Sequence, residues 1–115
     1  MKEFVMIYRN DTANEMKSPP DAVPAILKDW ETWIGGIAAR GKLVNVGARL
    51  GVEGKTVKPG NVITTGPYVE LNEILRGLTI ISAGSLEEAT ETAKGCPILK
   101  VGGSVEVRDV IPMNN

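Results

Sequence analysis

The chain contains no histidine. That excludes Ser-His-Asp and Cys-His arrangements, a histidine general base and a histidine-rich metal site. Its one cysteine, Cys96, excludes an intrachain disulfide and a cysteine-cluster metal site. There is no excess of basic residues: 13 stand against 14 acidic ones, a formal net charge of -1. That balance argues against a strongly basic nucleic-acid face, although it leaves room for a local patch, and no nucleic-acid partner is expected. No apolar run approaches the roughly 18 residues that span a bilayer, so no membrane partner is expected. The opening apolar stretch, Phe4 to Tyr8, is too short for a signal h-region and ends at Arg9 without a small-residue cleavage site. A cytoplasmic, reducing compartment is the resulting expectation.

What is present suits a folded globular protein. The 115 residues are 43% apolar and 23% charged, a length and balance that predict one domain over residues 1–115 with a core of its own. Residues 4–8 are a short run of β-formers and predict a strand buried on both faces. Between positions 21 and 40, Ile26, Leu27, Trp30, Trp33, Ile34, Ile37 and Ala38 recur at three- and four-residue steps. They mark one face of a helix that Gly41 stops. Gly35 and Gly36 weaken this helix, and close approach to a sheet is their expected reason. Residues 43–50 alternate as a half-buried strand, with Asn45 and Arg49 on the less apolar side. Residues 51–60 predict a hairpin excursion around Glu53-Gly54-Lys55, and residues 61–65 a further short strand. Residues 69–76 read equally as a helical turn or an extended loop. Residues 78–83 form a strong strand. Ser85 and Glu88 make a capping box that opens a second helix, and Gly95 with Pro97 ends it. Residues 104–111 alternate as the last strand.

The order β-α-β-(β)-β-α-β predicts an α+β fold, the ferredoxin-like βαββαβ arrangement, with both helices on one face of an antiparallel sheet. The other face is then bare. A second copy laid over it would form a barrel-like dimer.

Particular residues also resemble a family. Lys2-Glu3-Phe4-Val5-Met6-Ile7-Tyr8 is similar to the first strand of YCII-related, or DGPF-domain, proteins. Thr64-Thr65-Gly66-Pro67-Tyr68-Val69-Glu70 resembles their Thr-Asp-Gly-Pro-Phe-x-Glu signature, with Thr65 in place of the Asp. Glu73 followed by Gly77, the Ser85-Leu86-Glu87-Glu88-Ala89 helix start, Gly95-Cys96-Pro97 and Val105-Glu106-Val107-Arg108 are similar to the rest of its pattern. The resemblance implies a dimeric α/β barrel of ferredoxin-like protomers. Relatives include small-molecule enzymes acting on ring compounds, some with a His-Asp pair in a cleft. This chain has no histidine, so the resemblance implies a fold and an assembly and names no reaction.

The candidate site residues follow from strand periodicity. Glu106 and Arg108 are two apart on the last strand and share a face. If Arg49 shares it too, these groups line the bare side, where guanidinium forks would hold a carboxylate or phenolate. A structural ion pair between strands is the plainer reading of the same residues. Tyr68 and Glu70 follow the rigid Gly66-Pro67 turn and are candidates for the mouth of the site, or simply tie the turn down. Glu70 and Glu73 are three apart and would meet on a helical turn. Tyr8 ends the first strand, at a cleft or at a surface loop. Trp30 and Trp33 read as core or interface, and Cys96 as an inert buried thiol. The expected partners are a second copy of the chain and a small anionic or aromatic ligand. No cofactor or metal is expected. The alternative is a dimeric accessory module with no ligand.

Overall fold

The computed structural model describes residues 1–11, 13, 22–66, 69–70 and 73–113. Strand β1 (Lys2–Asp11) leads to helix α1 (Val23–Ala39) and strand β2 (Leu43–Arg49). Strands β3 (Lys55–Lys58), β4 (Val62–Thr65) and β5 (Val69–Glu70) precede the long β6 (Glu73–Ala83). Helix α2 (Leu86–Ala93), a 3-10 turn (Pro97–Val101) and β7 (Ser104–Asp109) follow. The main sheet has the order β2-β6-β1-β7, with β5 beside β6, and every pair is antiparallel. With β3 to β5 set aside, this is the ferredoxin-like α+β arrangement.

Strand β1 is longer than the apolar run suggests, and it alternates. Phe4, Met6, Tyr8 and Asn10 are buried, whereas Val5, Ile7 and Arg9 are half-buried. A strand between two neighbours in a sheet covered by helices on one side must look like this. Strand β6 starts five residues before the predicted strand, so residues 69–70 and 73–76 of the undecided stretch are extended rather than helical. Glu70 and Glu73 therefore meet as cross-strand partners of β5 and β6, not on a helical turn. A bulge between Tyr8 and Arg9 pairs Tyr8 with Gly77 and Arg9 with Leu75, leaving Arg76 as the extra residue.

The core lies between the sheet and the helices. It comprises Phe4, Met6, Tyr8, Ile37, Ile81, Ala83, Ala89, Ala93, Cys96 and Ile98, with Trp30, Trp33, Leu43, Val105 and Val107 packed against it. Tyr8, Trp30 and Trp33 form an edge-to-face cluster with ring centroids 5.0 to 6.3 Å apart, geometry that adds to the simple burial of their area. The Trp33 indole Nε1 also donates to the Thr92 carbonyl at 3.2 Å, tying α1 to α2. Gly35 and Gly36 depart from expectation: both are exposed, and a Cβ at either would meet nothing within 4 Å. They lie on the solvent side of α1, so close packing is not their reason. Helix α2 opens as its capping box predicts. The Ser85 hydroxyl accepts from the Glu88 N–H at 3.1 Å, and the Glu88 carboxylate accepts from the Gly84 N–H at 3.0 Å.

Strands β3 and β4 form a separate two-stranded ribbon. Its turn lies at Pro59-Gly60-Asn61, later than the predicted excursion, because Gly60 and Asn61 accept the left-handed φ values of 82° and 60° that the turn requires. Glu53 and Gly54 instead stand at the ribbon's base, where the Gly66 N–H donates to the Gly54 carbonyl at 2.6 Å. None of the described helices is long and apolar enough to cross a membrane.

Candidate functional site

The side of the sheet away from the helices is the one surface on which sequence periodicity assembles unlike chemistries. Register fixes who stands there. Ile7 pairs with Leu78 and with Glu106, and Val5 pairs with Ile80 and with Arg108. The centre of the face is thus an apolar row of Val5, Ile7, Leu78 and Ile80, all half-buried. Glu106 and Arg108 share it, as their two-residue spacing requires. None of the described helices packs on it, and the molecule is only 19 Å through its shortest axis, the thickness of one sheet and one helix layer.

Arg9 belongs to this group, although the alternation that reveals it only emerges once β1 is known to reach Asp11. Its guanidinium Nη1 is ion-paired with the Glu106 carboxylate. On the other side of that carboxylate, Arg108 Nε lies 3.9 Å from Glu106 Oε2. One acid therefore stands between two guanidinium groups, a local charge of +1. Side-chain exposures of 33% for Arg9, 45% for Glu106 and 67% for Arg108 leave all three reachable from solvent. Pairs this exposed contribute about 0–1 kcal/mol to folding, so stability alone does not account for them. Guanidinium donors not engaged by Glu106 can make bidentate contact with a further carboxylate or phenolate.

Arg49 does not join them. Strand β2 carries two register shifts, one between Leu43 and Asn45 and one between Asn45 and Ala48. Gly47, with φ 77°, supplies the second, and Asn45 Oδ1 caps it by accepting from the Gly47 N–H at 2.7 Å. Each extra residue reverses the alternation. Asn45 stays on the uncovered side opposite Ile80. Arg49 pairs with Gly77, the partner of Tyr8, and so takes the register of the helix-covered side. It is also on the far edge strand, three strand spacings or about 14 Å from β7. The predicted trio of Arg49, Glu106 and Arg108 is not assembled within one protomer.

Tyr8 is likewise on the helix-covered side, within the core. Its hydroxyl donates to Thr79 Oγ1 at 2.7 Å, and Thr79 Oγ1 donates to the Val46 carbonyl at 3.0 Å. Burial raises the phenol well above its ordinary value, the Thr79 contact opposing this. Tyr68 lies outside the described residues, and Glu70 enters only through its backbone register opposite Glu73. Cys96 is buried, and burial pushes its thiol up to about 12, which removes the thiolate that reactivity needs.

An open groove of about 390 Å³ lies on the helix side, lined by Trp33, Arg40, Lys42, Glu88, Glu91, Thr92 and Gly95. Its charges are largely committed. Lys42 is ion-paired with Glu88, and that contact together with the Gly84 N–H holds the Glu88 carboxyl below the usual range. No cluster of metal-ligating side chains occurs among the described residues.

Comparison with known proteins adds the family. The chain is similar in structure to 5-chloro-2-hydroxyhydroquinone dehydrochlorinase (TftG) from Burkholderia phenoliruptrix AC1100 in its complex with 2,5-dihydroxybenzoquinone. The TM-score is 0.40 at 17% identity, covering 91% of this chain and 90% of that one. No curated protein matches in sequence. The YCII-related domain matches residues 3–114, nearly the whole length, and the chain belongs to the YCII-related family.

Proposed function

We propose that this YCII-related protein works as a homodimer whose two uncovered sheet faces close over a cavity for a small anionic or aromatic compound. The observation that carries the reading is the make-up of that face. An apolar row of Val5, Ile7, Leu78 and Ile80 lies beside the Arg9–Glu106–Arg108 group, and none of the described helices covers it. Half-buried aliphatic side chains in the middle of a sheet favour a cover, since each loses apolar surface to water when one arrives. A cover that repeats the same face would place one apolar row against another and leave guanidinium groups at the edge. Such a space suits a flat ring bearing a carboxylate or phenolate: the ring against the aliphatics, the charge on Arg108 or Arg9.

The test is a thermal-shift series with benzoate, 4-hydroxybenzoate and phenol. A ligand that binds only the folded protein raises its melting temperature. A dose-dependent rise with the carboxylates that disappears in Arg108→Ala supports the site. A rise that survives Arg108→Ala, or no rise with any of the three compounds, overturns it. The second reading, a dimeric accessory module without a ligand, draws on the same ion pair. Arg9 and Glu106 satisfy each other within one protomer, as interface charges do when no third group is needed.

A further inference from the structure

The β3–β4 ribbon is the part of the chain least explained by its own fold. It is a two-stranded hairpin that packs chiefly within itself, and such a hairpin is marginally stable in water. Val57 and Ile63 stand opposite each other on one of its faces and are 68% and 62% exposed, while Val62 on the other face is 52% exposed. Its strands carry Lys55 and Lys58 and no acidic residue, and neither lysine has an ion-pair partner among the described residues. The molecule's radius of gyration, 15.6 Å, exceeds the about 13 Å of a compact chain of this length, as an arm leaving the body requires.

The complementary feature lies at the same end of the sheet. Asp11 at the end of β1 stands opposite Glu73 at the start of β6, and Glu73 stands opposite Glu70 of β5. Asp11 and Glu73 are thus direct cross-strand partners, and like charges directly opposite one another destabilise a sheet. Among the described residues no cation pairs with Asp11 or Glu73. The ribbon leaves the sheet at the end of β2 and returns to it through β5, next to this pair. Among the described residues, its own lysines form no ion pair with Asp11 or Glu73.

We propose that the ribbon is an arm that docks on a second copy of the chain, with Lys55, on the Val57–Ile63 face, against the partner's acidic pair and Val57 and Ile63 removed from water by the contact. The inference rests on the homodimer proposed above and specifies what joins its halves. A second copy is the occupant because one molecule carries both surfaces. A twofold interface requires that self-complementarity, and it makes every contact twice. Removing the Val57–Ile63 pair from water supplies affinity, and the charges fix the register.

Sedimentation equilibrium at low salt tests the arm by charge exchange. The proteins are the wild type, Lys55→Glu, Glu73→Lys with Asp11→Asn, and the combination of all three. Each charge-altered protein is expected to raise the dimer Kd by about tenfold or more, and the combination to recover most of that loss. Val57→Ser with Ile63→Ser is expected to raise Kd by a similar factor while the circular dichroism of the main sheet and helices stays unchanged. A wild-type dimer whose Kd none of these variants moves overturns the arm and leaves the homodimer standing. A loss without recovery in the combined variant also overturns it. A wild-type monomer at every concentration overturns both.

Discussion

Arg9 and Glu106 form an ion pair across the neighbouring strands β1 and β7, on the side of the sheet that the helices leave open. Glu106 stands directly opposite Ile7, so its contact with Arg9 is the diagonal one. The pair holds a guanidinium beside an apolar row, with Arg108 on the other side of the same carboxylate.

Glu106→Gln therefore changes binding more than folding. The exposed pair contributes at most about 1 kcal/mol, so the unfolding midpoint should move by only a few degrees. Two guanidinium groups then face solvent without a competing acid. Affinity for benzoate should rise by about threefold to tenfold, a gain that added salt removes. Titration calorimetry at two salt concentrations reads both effects. Unchanged or weaker benzoate binding would separate the ion pair from the ligand site.

Stability should fall in alkali. The Cys96 thiol is pushed up to about 12 from an ordinary value of 9.0, and the Tyr8 phenol is also raised, in both cases by burial. A group whose folded pKa lies above its unfolded one stabilises the fold fully below the unfolded value. That contribution is lost as pH rises through the folded value. The unfolding free energy should thus decline from about pH 9 upwards, Cys96 acting first and Tyr8 from about pH 10. Cys96→Ala is expected to lower stability at pH 7 through its cavity and to flatten the decline between pH 9 and 10. Urea midpoints at a series of pH values check the slope, and an unaltered slope in Cys96→Ala would refute the assignment.

Gly47 is the residue on which the register of β2 turns. A Cβ there would lie 1.8 Å from the Leu78 carbonyl oxygen, and the backbone φ is 77°. Gly47→Ala should cost about 3 kcal/mol or more, combining strain with a backbone clash. Gly51→Ala meets nothing within 4 Å and has an ordinary φ, so it should change stability by less than about 0.5 kcal/mol. Thermal melts of the two variants give the contrast, and equal melting temperatures would contradict the bulge.

How much of this was legible in the sequence depends on what each element answers to. The helices and the order of strands answer to periodicity and caps, which are local: Ser85 and Glu88 announce α2, and Ile26, Trp30, Trp33 and Ile37 orient α1. Glu106 and Arg108 share a face because no irregularity separates them. Arg49 was misplaced because one residue is inserted between Asn45 and Ala48, at Gly47, which turns Arg49 to the side opposite Asn45, and a bulge leaves no reliable trace in an alternating pattern. Tyr8 belongs to the core because it shares the alternation of Phe4 and Met6, which an uninterrupted apolar run hides. The uncovered face itself shows in the pattern of strands and helices. What lies over it belongs to another molecule and has no local signal.

The most direct measurement is the solution mass of the wild type beside that of Ile7→Lys, by sedimentation or light scattering. Ile7 sits at the middle of the open apolar row, half-buried and outside the core cluster. The wild type should run at twice the 12.3 kDa of one chain, and the lysine variant, with its circular dichroism unchanged, at the mass of one. A wild type that keeps the mass of a single chain at several hundred micromolar would contradict the account, as would a variant that remains paired.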